Sequence, residues 1–80
     1  MTNRGDRVAS IADAIGHYLR ANPEAADSID GIRLWWLTGE AAKEAPECVR
    51  EALDRLEAAG VVERRELPGG QVVYAAARRH

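Results

Sequence analysis

A reacting site needs a nucleophile or an acid–base pair held in a pocket, and this chain offers few candidates. Cys48 is its single cysteine, and His17 and His80 are its two histidines. Cys48 falls near the start of a predicted helix, where the positive end of the backbone dipole can lower a thiol pKa. No histidine stands near it in sequence and it borders an apolar stripe, so it reads as a small core or boundary residue. His17 projects from the solvent side of a predicted helix, and His80 closes the sequence. Cysteine and histidine show no metal-ligand spacing, and Gly69-Gly70 is turn chemistry outside any phosphate-loop pattern. The residues point away from an enzyme and imply neither cofactor nor metal.

What remains to do chemistry is charge and aromatic surface. In the stretch PECVREALDRLEA, Glu47, Glu51 and Asp54 are spaced to share one face of a helix, with Lys43, Arg50 and Arg55 flanking them. Glu51–Arg55 and Arg50–Asp54 also have the i,i+4 spacing of ordinary helical ion pairs. A basic doublet, Arg64-Arg65, sits between Glu63 and Glu66, and Arg78-Arg79 lies at the end. The segment IDGIRLWWL concentrates apolar bulk, with Leu37 at the edge of the stripe formed by Ile29, Ile32 and Trp36, and Leu34 and Trp35 off it.

The totals limit what these residues can serve. Eighty residues make one small domain with a thin but sufficient core. A net charge of −2 lacks the basic footprint of a nucleic-acid binder. One cysteine excludes an internal disulfide and suits a reducing compartment. With no run of some 18 apolar residues and no signal-peptide pattern, the expected location is the cytoplasm, away from membranes.

The elements that must position these groups follow from periodicity. Residues 1–6 are polar and are expected to be a disordered tail, residues 7–77 a single domain, and residues 78–80 a basic tail. Val8, Ile11, Ala12, Ile15, Tyr18 and Leu19 form one helical stripe, opposite Asp13, His17 and Arg20. Gly16 could permit close approach of another helix. Asn22-Pro23 ends that helix, and PEAADS reads as a connector. Ser28 suits the N-cap of a second helix over residues 29–37, stopped by Thr38-Gly39. Pro46 suits the first position of a third helix, with Val49, Ala52, Leu53 and Leu56 on its buried side. VVERREL and QVVYAAA then alternate like strands around the turn Pro68-Gly69-Gly70.

At ECVREALDRLEAAGVVERRELPGGQVVY the chain resembles the winged helix-turn-helix superfamily, widespread among bacterial regulators. The likeness rests on the valine, alanine-leucine and leucine of the third helix, then Ala-Ala-Gly-Val-Val, then Glu-Arg-Arg opening a hairpin. It covers residues 8–77 and implies an α+β fold: a three-helix winged helix-turn-helix with a C-terminal β-hairpin wing. Residues 38–45 depart from the pattern, being longer than the three or four residues usual between the two helices.

The resemblance leaves function open, because this fold serves DNA binding, protein docking and subunit assembly. Glu47, Glu51 and Asp54 occupy the face that would enter a major groove, and each carboxylate held near phosphate costs on the order of 1 kcal/mol. The first reading is therefore a non-enzymatic module docking a protein partner, or a second copy as a homodimer, through Leu34, Trp35, Glu47, Glu51 and Asp54. The alternative is a small DNA-binding regulator using Lys43, Arg50, Arg55, Arg64 and Arg65. Trp35 itself has two readings, packed on the first helix or open as an aromatic patch.

Overall fold

The computed structural model describes residues 3–77. The first helix, α1, runs Arg4–Ala21 and starts earlier than expected. Asn3 caps it, its side chain accepting from the Asp6 amide at 2.9 Å. Residues 4–6 of the expected tail are thus the helix's first turn. Polarity concealed this, because a first turn needs a cap and solvated side chains rather than apolar ones. Val8, Ile11, Ile15 and Leu19 are buried along one side, as the stripe predicts, and Ala12 and Tyr18 are packed at its margins. Gly16 serves no close crossing: an added Cβ would meet only the end of the Arg20 side chain, at 3.6 Å.

After Asn22, which closes α1 by donating to the Tyr18 carbonyl, the connector carries a short strand, β1, Ala26–Asp27. The next helix, α2, opens as an α-turn, Ile29–Gly31, and continues directly as a π-helical turn, Ile32–Trp36. The long segment behind it holds a 3-10 turn, Gly39–Lys43. Helix α3, Pro46–Ala58, begins at the proline as expected and buries Cys48, Val49, Ala52 and Leu53. Strands β2, Val62–Glu66, and β3, Val72–Ala76, form the hairpin, with Gly69 and Gly70 at φ of 94° and 87° in its turn.

The sheet order is β1-β3-β2, antiparallel throughout. Three helices and this sheet make the expected α+β fold, with β2–β3 in the place of a wing. Helix α1 packs on α3, and α3 packs on β2. Their shared core is Val8, Ile11, Ile15, Ile32, Val49, Leu53, Val62 and Tyr74. Burying each of the large aliphatic side chains contributes roughly 1.5–3 kcal/mol. Register matters for function: Arg64 pairs with Tyr74 and Arg65 with Val73. Successive strand residues face opposite sides, so Arg64 shares the helix-facing side with Tyr74, while Arg65 lies on the other.

One close approach fixes how β1 meets α2. The Asp27 Oδ1 accepts from the Ser28 amide at 2.8 Å, and a Cβ on Gly31 would overlap that carboxylate. Displacing it would sacrifice a charge-assisted hydrogen bond of about 1.5–3 kcal/mol. Alanine in place of a helical glycine returns only about 1 kcal/mol. Gly31→Ala should therefore destabilise the protein by about 1 kcal/mol in urea unfolding. In an Asp27→Ala background the same substitution should stabilise. An identical sign in both backgrounds would show that the carboxylate is not what excludes a side chain at residue 31.

Candidate functional site

The surface with most to offer is the outer side of α2. Its first turn is capped by Ser28, whose Oγ accepts from the Gly31 amide at 3.2 Å. Beyond Gly31 the turn widens, the Leu37 amide donating to the Ile32 carbonyl at 3.2 Å in an i→i+5 bond. Five α-helical steps would set Leu37 about 140° round the axis from Ile32. The wider turn carries it back, so Ile32, Trp36 and Leu37 all reach the core. The Trp36 ring stacks on Tyr18 of α1, with centroids 4.8 Å apart and planes 13° from parallel. Leu34 and Trp35 between them are left outside: Leu34 is 72% exposed and Trp35 73%, against 6% for Trp36. Of the two readings of Trp35, the core one is overturned and the open patch stands. Leu37, expected at the helix edge, is core.

Beside the patch, Arg33 reaches back toward Asp30, with Nη1 3.8 Å from its Oδ1. The Arg33 Nε is buried and has no hydrogen-bond partner among the described residues. An orphaned donor of this kind marks a local weakness in α2, since its desolvation goes uncompensated.

The face of α3 differs from its sequence pattern at one residue. Glu51 is held by two arginines: Arg4 Nε donates to Oε1 at 3.0 Å and Arg55 Nη2 to Oε2 at 3.0 Å. The Arg55 contact is the predicted i,i+4 pair. Arg4 was missed because it lay in the supposed tail, 47 residues away in sequence. The hydrogen bond and the charge of Glu51 hold the Arg4 guanidinium above its ordinary value. A raised folded-state value is a contribution present below that ordinary value and lost only at extreme alkalinity, so Arg4 stays charged near neutrality. Glu51 is thus turned toward α1 and compensated, and the expected line of three free carboxylates shrinks to Glu47 and Asp54. Both of these are exposed.

The basic set does not assemble into one strip. Arg65 donates from Nη2 to Glu63 Oε1 at 3.0 Å on the outer side of the sheet, and that bond and charge raise its pKa. Arg55 is committed to Glu51, and Lys43 is also engaged within the protein. Only Arg50 and Arg64 converge. Both line a cleft of about 250 Å³ between α2, α3 and the sheet, and neither side chain has an ion pair or hydrogen bond among the described residues. Asp27 and Asp30 place negative charge at the start of α2, where a helix would otherwise greet a phosphate. The Arg78-Arg79 pair and His80 lie outside the described residues.

Cys48 is buried, and among the described residues no cluster of His, Cys, Asp or Glu could hold a metal. Among the described residues no helix is long and apolar enough to cross a membrane. Compared with family models, curated proteins and solved structures, the chain matches none.

The two tryptophans should separate cleanly in stability. Trp36→Ala empties a stacked core site and should cost about 3–5 kcal/mol, whereas Trp35→Ala should change stability by less than about 1 kcal/mol. Urea unfolding of both variants checks this. Comparable losses would mean that Trp35 is packed after all.

Proposed function

We propose that this winged-helix chain is a non-enzymatic interaction module that docks protein, either a partner chain or a second copy, through Leu34 and Trp35 of α2. The observation that carries the reading is the exposure of these two adjacent large apolar side chains on a helix whose other apolar residues are packed. Two such side chains offer on the order of 300 Å² of apolar surface. A stable interface needs about 800 Å² per partner, so the pair acts as the anchor of a wider footprint. Exposed Glu47 and Asp54 add an acidic flank on α3 that suits basic groups at the rim. Tryptophan at such a centre commonly carries much of the binding energy.

One observation favours the alternative, a DNA-binding regulator. With Glu51 compensated, the α3 face repels polyanions less than its sequence implies, and Arg50 and Arg64 are free to meet a phosphate. Against it stand Glu47 and Asp54 on the same face, Asp27 and Asp30 at the start of α2, and the engagement of Arg55 and Arg65. Neutralising phosphates is the main source of DNA affinity, and two arginines supply little of it.

A photoreactive amino acid placed at residue 35 in the native cell tests the docking reading, with exposed residue 9 on α1 as control. Expected is a discrete protein adduct, or a covalent dimer of the chain, that forms at residue 35, fails at residue 9 and fades with Leu34→Ser. Adducts with nucleic acid, or the same diffuse pattern at both positions, would overturn it.

A further inference from the structure

The Arg50–Arg64 cleft has the composition of a receptor for a single carboxylate. Its two arginines come from different elements, α3 and β2, and both line one cavity of about 250 Å³. Arg4, Arg33, Arg55 and Arg65 each meet a carboxylate, whereas Arg50 and Arg64 share one cleft with no ion pair among the described residues. Two neutral donors join them. Tyr74 is only 3% exposed, yet its hydroxyl makes no hydrogen bond to a described residue, and the ring lines this cleft. The Ser28 Oγ already accepts from the Gly31 amide, which leaves its own hydrogen free to donate. Ile29 and Val72 supply apolar wall, and Asp30 contributes one opposing charge at the rim.

We propose that this cleft binds the carboxylate of a glutamate or aspartate from the docking partner, seated between Arg50 and Arg64. Guanidinium groups recognise a planar carboxylate through paired donors. The apolar walls suit the methylene stem of an acidic side chain. A nucleic-acid strand fits less well, since seating one phosphate here would bring its neighbours against exposed Glu47 and Asp54. Asp30 links the cleft to the aromatic pair: it lines the cleft and lies one turn before Leu34 on α2. A partner segment placing an acidic residue here can continue along α2 to Trp35. The inference rests on the docking reading and names the chemistry of the partner.

The test uses the full chain and three probes: the capped peptide acetyl-Gly-Glu-Gly-amide, its glutamine counterpart, and a random 16-base-pair duplex at low salt. The arginine Nε–H signals of Arg50 and Arg64 are followed by nitrogen–proton NMR. The glutamate peptide should shift both signals with an affinity of ~1 mM, and the glutamine peptide should be at least tenfold weaker. Arg50→Gln and Arg64→Gln, both at exposed positions, should each reduce the response at least threefold while the rest of the spectrum is retained. Equal response to the two peptides, or none to either, overturns the site. Duplex binding tighter than the glutamate peptide and lost in both variants would make the cleft a phosphate clamp and overturn the docking reading with it. Loss of the peptide response alone, with protein adducts at residue 35 intact, removes the carboxylate site and leaves docking standing.

Discussion

Ile32, Trp36 and Leu37 must all reach one core, and a regular α-helix cannot deliver the third of them. Widening the last turn of α2 solves the problem at the expense of one well-formed α-helical turn. The Tyr18–Trp36 stack then locks the result to α1. Leu34 and Trp35, spanning the outer arc of the widened turn, have no packing direction left but outward. Their exposure follows from what the core requires of their neighbours. π-turns of this kind occur often at functional sites, and here the reason is local: the same widening that completes the core presents an aromatic pair.

Electrostatics divides the rest of the surface. The bridge from Arg4 and Arg55 takes Glu51 out of the α3 face and ties the start of α1 to the middle of α3. The register of the hairpin then sends Arg64 and Arg65 to opposite sides of the sheet, one toward the cleft with Arg50 and one to Glu63. A doublet that looks in sequence like one basic patch is two separate sites. Glu47 and Asp54 remain as an acidic margin on α3, with Asp27 and Asp30 at the start of α2. Among the described residues, two arginines without an ion pair meet in the cleft, at a scale suited to one anionic group.

Much of this frame is legible in the residues. The stripe from Val8 to Leu19, the proline at the start of α3 and the Gly69-Gly70 turn each have a local physical cause, and each appears where that cause puts it. Strand β1 was not legible, because two residues carry no period; it exists only through pairing with β3. The start of α1 was hidden for a related reason, since the cap by Asn3 leaves polar residues in the first turn. The Arg4–Glu51 bridge joins residues far apart in the chain, so no spacing rule could expose it. Helix periodicity assumed 100° per residue throughout, and so it placed Leu37 at an edge. It could not decide whether Trp35 was covered.

The division between the two tryptophans is therefore the point on which the surface reading turns. Acrylamide quenching of Trp36→Phe, which leaves Trp35 as the only indole and keeps a ring against Tyr18, measures it directly. Quenching close to that of a free indole in water is the predicted result. A strongly shielded Trp35 in the isolated monomer would contradict the open aromatic pair and everything built on it.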